Sequence, residues 1–457
     1  MVKIADYADT SAVDNVNVAI AAARQSSDFH AVLSICEERA LERAAKVDCG
    51  EITGRLAGIP FLAKDNFLTF GSTTTAASHF LEQFHAPLQA TAIEKLEAEG
   101  AICIGKTNLD AFAHGGSTEN SAFGPTKNAI DQTRVSGGSS GGSAVATALG
   151  IVPFAIGTDT GGSIRQPASF NGVIGVKPTY GTVSRYGVVA MASSTDTIGC
   201  FATTAADAEL VMEVMAGQDD KDMTTLPDFF AATELKSKQK IGVIKEFMTE
   251  DVDRDVRDRV TGYIDTLKAA GHEVDEVSLP ILKYALAMYY IIVPAEISSN
   301  LARYDGVRYG TRAESTSLTE LYGKSRDEGF MPENKRRIMI GSYVLSSGYF
   351  DAYYLQAQKA RTLLIQAFNE LFEHYDVLVG PVSPTPAFPF GENTADPVKM
   401  YLADVMTVPA SLAGLPAISV PAGVTNDQLP VGIQLIGKRR SDADLLALAK
   451  SVEATAS

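Results

Sequence analysis

A chain of 457 residues with 46% hydrophobic and 21% charged side chains can bury a large core, and that balance argues against wholesale disorder. Its 39 basic and 55 acidic residues leave a net charge of −16, which argues against a broad electrostatic grip on a nucleic-acid backbone by this chain alone. Any nucleic acid involved is expected to be held by a partner.

In chain order, residues 1–50 read as helical, with periodic stretches at 16–24 and 31–46 before Gly50. From Ile59 short apolar runs alternate with helical patterns: a strand at 59–63, a helix at 90–99 closed by Gly100, and a strand at 101–105. Such alternation predicts an α/β fold. Residues 143–149 predict a helix opened by a Gly/Ser cluster, and 152–156 predict a buried strand. Polar and acidic residues over 215–240 predict a surface excursion. Strands are then expected at 241–244 and 273–279 around a helix at 252–270, followed by long helices at 285–303 and 349–374. Strands at 377–379, 417–420 and 431–436 and an amphipathic helix at 441–454 complete the pattern.

The four cysteines, Cys36, Cys49, Cys103 and Cys200, have neither paired metal-ligand spacing nor the density of a disulfide scaffold, so reduced thiols are expected. The first residues lack a basic stretch followed by an apolar run, and no later segment offers about 18 uninterrupted apolar residues. A soluble, cytoplasmic protein is predicted.

Chemistry concentrates in two clusters, Gly137-Gly138-Ser139-Ser140-Gly141-Gly142-Ser143 and Asp159-Thr160-Gly161-Gly162-Ser163. A flexible linker has no purpose between well-patterned apolar segments of one core. Neither cluster ends in the Gly-Lys-Ser/Thr that would touch phosphate and metal. Gly138-Ser139-Ser140-Gly141-Gly142 also fits a G-x-S-x-G nucleophile elbow centred on Ser140, which needs a later acid and histidine. Only His272 and His374 follow, and both read as surface histidines near helix ends. The remaining reading takes Lys64, set in an apolar stretch, as a base.

Here a resemblance becomes specific. Gly58-Ile59-Pro60-Phe61-Leu62-Ala63-Lys64-Asp65-Asn66, Gly105-Lys106-Thr107-Asn108-Leu109-Asp110 and the two clusters, the second running on through Ile164-Arg165-Gln166-Pro167, resemble the amidase signature family from about residue 55 to the C-terminus. The resemblance implies one amidase-signature domain over 1–457, with a helical segment at 1–50 and a core at 55–457. It also implies an α/β/α sandwich around a large mixed sheet. It implies a triad in which Ser163 is the nucleophile, Ser139 on a cis peptide is the proton relay and neutral Lys64 is the base. The backbone amides of Thr160, Gly161, Gly162 and Ser163 would form the oxyanion hole. Ile59, Phe61, Leu62 and Phe67 are expected to help desolvate Lys64, while Asp159 and Arg165 are expected to brace the loop.

A narrower likeness is carried by Gly115-Gly116-Ser117-Thr118-Glu119-Asn120-Ser121, Lys177-Pro178-Thr179-Tyr180-Gly181, Ser298-Ser299-Asn300-Leu301-Ala302-Arg303 and Lys335-Arg336-Arg337-Ile338. It points to the branch whose members are glutaminase subunits of tRNA-dependent amidotransferases. That likeness implies glutamine as substrate and partner B and C subunits in a heterotrimer. It places tRNA mainly on the partner, ATP and Mg²⁺ at the partner subunit, and no cofactor in this chain. By residue type alone, Arg337 reads as a surface arginine and Asp404 as a helix cap. The resemblance instead gives them the α-carboxylate and α-ammonium of glutamine, with Tyr289 or the adjacent Tyr290 closing the pocket. His114 stands where this branch often has an apolar residue such as methionine. Two rivals stay open: a stand-alone amidase for small amides and an inactive scaffold subunit.

Overall fold

The computed structural model describes residues 1–227, 230, 236, 238–393 and 397–456. Among them, eleven strands share one mixed sheet: β1 (Val32–Ile35), β2 (Pro60–Lys64), β3 (Ile102–Thr107), β4 (Phe154–Asp159), β5 (Ile174–Lys177), β6 (Thr197–Ala202), β7 (Lys240–Ile244), β8 (Glu273–Val277), β9 (Val377–Pro381), β10 (Ala417–Val424) and β11 (Pro430–Gly437). Their spatial order is β1-β3-β2-β4-β6-β5-β10-β11-β9-β7-β8. Pairing is parallel between β2 and both β3 and β4, and between β7 and both β8 and β9; the other pairs are antiparallel.

Both faces are covered, which explains why the central strands read as unbroken apolar runs. Side chains alternate across a pleated strand. Leu62, Ile102, Ile104 and Ala155 accordingly pack with the helices Ala12–Gln25 and Glu37–Asp48. Their neighbours Phe61, Ala63, Cys103, Phe154 and Ile156 join the larger core on the other face, with the helices Thr91–Ala98 and Ala205–Met215. This is the expected α/β/α layering around a mixed sheet.

Several elements differ from the sequence reading. The helix expected over 31–46 begins only at Glu37, whose acidic first turn suits a helix N-terminus, while Val32–Ile35 pairs antiparallel with β3 at the sheet edge. The strand expected at 152–156 runs from Phe154 to Asp159, past Pro153, which has no N–H to give a ladder. Strands β5 and β6 and the helices Leu318–Gly329 and Pro332–Val344 were not predicted. The polar excursion over 215–240 includes residues 228–229, 231–235 and 237, which lie outside the described residues. Its acidic run is partly docked, for Asp222 is buried and accepts from Arg185 Nε at 3.0 Å.

The segment Pro280–Leu301 is long and apolar enough to cross a membrane by length and composition; half of it is buried here. Its helix, Ala285–Leu301, packs against the helices Pro332–Val344 and Tyr354–Leu371. Gly341 makes that packing close, since a Cβ there would stand 1.9 Å from the Pro294 carbonyl oxygen.

Candidate active site

Lys64 is the last residue of β2, between the ends of the parallel strands β3 and β4, where open α/β sheets leave room for ligands. Its ammonium nitrogen is fully buried and meets three hydroxyls: Ser139 Oγ at 2.8 Å, Ser140 Oγ at 2.8 Å and Thr158 Oγ1 at 2.9 Å. Among the described residues it has no ion-pair partner. Burial therefore lowers its pKa to about 7, against a weaker pull upward from Asp110, Asp159 and Asp196. The desolvation differs from that expected: Ile59, Phe61 and Phe67 lie in the core of the opposite face, and only Leu62 shares Lys64's side of the strand.

Two other buried lysines show why burial alone does not mark a base. Lys106 is held by Asp65 at 2.7 Å. Lys177 is also lowered to about 7, first by burial and then by Arg165, but its nitrogen donates to the Pro178 carbonyl at 2.9 Å.

The first Gly/Ser cluster turns into the helix Gly141–Ala148 through a cis peptide between Gly138 and Ser139. Glycine is required at 138, because a Cβ there would stand 2.2 Å from Asp110 Oδ2. Asp110 in turn accepts the N–H groups of Thr118 and Asn120 at 2.9 and 3.1 Å, packing the loop after His114 against the cluster. Ser140 does not stand exposed as an elbow nucleophile would: its hydroxyl donates to the Thr158 carbonyl at 3.1 Å and is fully buried. Its N–H donates to the Ser163 carbonyl at 3.2 Å and so ties the two clusters together.

Ser163 follows the turn Thr160-Gly161-Gly162 at the end of β4, and its hydroxyl has no hydrogen-bond partner among the described residues. In the same loop the N–H groups of Thr160, Gly161, Gly162 and Ser163 have no acceptor among the described residues. Four unengaged amides in one turn can receive a developing oxyanion. The loop is braced from outside: Thr160 Oγ1 donates to Asp196 at 2.7 Å, and Thr407 Oγ1 donates to the Gly161 carbonyl at 2.6 Å. Below it, Arg165 forks onto Asp159 with Nε at 3.0 Å and Nη2 at 2.9 Å, both fully buried. Asp196, Thr407 and Thr158 escape the sequence reading, because each is an ordinary polar residue until the fold places it beside the loop.

Arg337 and Asp404 lie nearby, and neither has the role its residue type suggests. Arg337 is not on a helix surface; it is 3% exposed, with Nε on Glu333 at 2.8 Å and its guanidinium over the rings of Tyr290 and Tyr401 at 5.4 and 5.7 Å. Its two Nη groups donate to nothing among the described residues. Asp404 does not cap a helix with its side chain: its half-buried carboxylate accepts no hydrogen bond among the described residues and faces Gly116, where a Cβ would lie 3.6 Å from Oδ2. Tyr289 and Tyr290 face different neighbours. The Tyr289 hydroxyl lies over Gly161, 2.6 Å from where a Cβ would be, and Tyr290 stacks on Tyr401 under the arginine at 3.8 Å.

An arginine with two Nη groups free and a carboxylate without a hydrogen bond, among the described residues, thus stand near a hydroxyl, a free-amide loop and a buried lysine. The arrangement can hold a zwitterion and pass its acyl group to a serine without histidine. Among the described residues no group of His, Cys, Asp and Glu could hold a metal ion. The chain belongs to the amidase family, whose model matches residues 14–446.

Its similarity is narrower still. It is 51% identical over 439 residues to the A subunit of glutamyl-tRNA(Gln) amidotransferase from Koribacter versatilis, covering 94% of this chain and 92% of that protein. It is 54% identical over 416 residues to the corresponding protein of Latilactobacillus sakei, which carries the same name, covering 89% and 85%. Among solved structures, the A subunit of glutamyl-tRNA(Gln) amidotransferase from Thermotoga maritima superposes with a TM-score of 0.83 at 39% identity, covering 99% of this chain and 94% of that one.

Proposed function

We propose that this chain is the glutaminase subunit of a tRNA-dependent amidotransferase, working as one amidase unit with its N-terminal helices packed on the sheet. It hydrolyses glutamine and supplies ammonia to a partner subunit, which uses ATP and Mg²⁺ to convert Glu-tRNA(Gln), Asp-tRNA(Asn) or both to the amidated forms. The observation that carries the reading is that the two Nη groups of Arg337 and the carboxylate of Asp404 are left unengaged among the described residues, close to the loop that carries Ser163. A free amino acid offers one carboxylate and one ammonium to such a pair, whereas a simple amide offers neither.

In this reading neutral Lys64 draws a proton from Ser139, which takes one from Ser163 as Ser163 Oγ bonds to the side-chain amide carbon. The carbonyl electron pair moves onto oxygen and is met by the N–H groups of Thr160 to Ser163. Collapse of this intermediate breaks the C–N bond, and the proton returned through Ser139 leaves with the nitrogen as ammonia. Water, deprotonated along the same path, then attacks the ester on Ser163 and releases glutamate. The B and C subunits complete the enzyme in the cytoplasm, and the net charge of −16 fits a division of labour in which the partner grips tRNA.

The test is glutamine-dependent transamidation by the chain purified with its two partners. Arg337→Ala is expected to raise KM for glutamine about 30-fold while kcat changes far less, as when one member of a desolvated charge pair is removed. Rapid turnover of aryl or aliphatic amides by the chain alone, with no gain from partners and no preference for glutamine, would instead assign a stand-alone amidase.

Asp404 adds a pH signature. Burial raises its carboxyl to about 7, with Arg337 pulling the other way. Below that pH it is neutral and above it anionic, so it pairs with an α-ammonium only as pH rises. KM for glutamine is expected to fall about tenfold between pH 6 and 8, and Asp404→Asn to flatten that slope. A wild-type KM that does not change with pH would remove Asp404 from the pocket.

A further inference from the structure

The His114 imidazole is buried two residues before Gly116, the glycine that faces Asp404. Its Nδ1 lies 2.7 Å from Asn334 Nδ2. Two further bonds fix which way that amide points: the Met331 N–H donates to Asn334 Oδ1 at 3.1 Å, and Nδ2 donates to the Ala111 carbonyl at 2.8 Å. An amide nitrogen has only hydrogens to offer, so His114 Nδ1 must accept and the neutral ring's proton sits on Nε2. Burial first, and then the Arg337 charge, hold the imidazole well below its ordinary pKa, which keeps it neutral.

The Nε2–H is consequently a buried donor, and it has no acceptor among the described residues. Such groups are rare unless something absent from the free protein completes them. Asn334 and Arg337 are three residues apart on the helix Pro332–Val344, so their side chains leave one face of it. The ring docked on Asn334 therefore stands beside the arginine whose two Nη groups are also unengaged.

We propose that His114 Nε2–H donates a hydrogen bond to the α-carboxylate of glutamine held by Arg337, which makes His114 a specificity-determining residue for amino-acid amides over simple amides. The inference rests on the pocket assigned above to Arg337. Methionine at this position would fill the space without the donor, so the histidine's share of the preference, added to that of Arg337, is lost in His114→Met.

The test compares ammonia release from glutamine and from 4-aminobutanamide, which lacks the carboxylate, by the assembled enzyme carrying wild-type, His114→Met or Arg337→Ala chains. His114→Met is expected to raise KM for glutamine about tenfold with kcat within about twofold, and the penalty is expected to vanish with 4-aminobutanamide. An equal penalty on both amides, or none on either, overturns the proposal. If Arg337→Ala raises KM for glutamine and His114→Met does not, only the histidine's role falls. If Arg337→Ala leaves KM unchanged, the pocket falls with it.

A second measurement needs no His114 substitution. With ¹⁵N-histidine in a Ser163→Ala chain, the free protein is expected to show the Nε2–H tautomer and its ring proton to shift downfield with glutamine but not with 4-aminobutanamide. No shift with glutamine means that the donor serves a buried water, which overturns the proposal.

Discussion

Ser163→Ala is expected to stop ammonia release from glutamine, with kcat lower by at least about 10³-fold, because the two serines of the first cluster that lie nearby, Ser139 and Ser140, are otherwise engaged. Ser139 accepts the Asp110 N–H with its backbone carbonyl and keeps its hydroxyl against Lys64, while Ser140 is spent on the Thr158 carbonyl. Loss of one polar atom at an 8% exposed position leaves the braces on Asp159, Asp196 and Thr407 in place, so glutamine should still bind. The check is a single-turnover ammonia assay beside a binding isotherm on the same protein. Unchanged ammonia release would remove Ser163 as nucleophile and overturn the mechanism.

Lys64→Met is expected to cost a similar factor, about 10³ or more, since the proton from Ser163 would have no base to reach. The wild-type pH profile carries the same information. With its pKa lowered to about 7, Lys64 is protonated and inactive below that value, so kcat is expected to fall about tenfold per pH unit below 7 and to level off above it.

Stability should move the other way. Between about 7 and the ordinary lysine value of 10.5 the unfolded chain binds more protons than the folded one, so folding is favoured as pH rises through that window and is penalised below it. Methionine removes that penalty while leaving three hydroxyls without the ammonium. The melting temperature of Lys64→Met at pH 7 is thus expected not to fall with the activity. A fall in step with the lost activity would make Lys64 a structural residue.

Much of the fold is legible in the sequence because apolar periodicity is local. Strands at 59–63, 241–244 and 431–436 and helices closed by Gly100 and Gly271 lie close to where the pattern puts them, since short-range packing and a positive-φ glycine decide them. Val32–Ile35 and β6 are illegible for the opposite reason: a short segment becomes a strand only when a distant edge accepts it. The helix Pro332–Val344 is hidden because it buries little beyond Asn334, Arg337, Gly341 and Val344, a stripe too thin and too polar for periodicity to flag.

The candidate site divides along the same line. By itself the sequence determined the Lys64 and Gly/Ser candidates, because glycine and serine at fixed spacing announce close backbone approach within a few residues. Only the tertiary structure decided that Arg337 is buried with two groups unengaged, that Asp404 faces Gly116, and that Asn334 sets the tautomer of His114. Those facts depend on which polar atoms remain without partners after segments hundreds of residues apart have packed. Hydrogen-bond satisfaction is a property of the assembled interior, which local sequence does not contain.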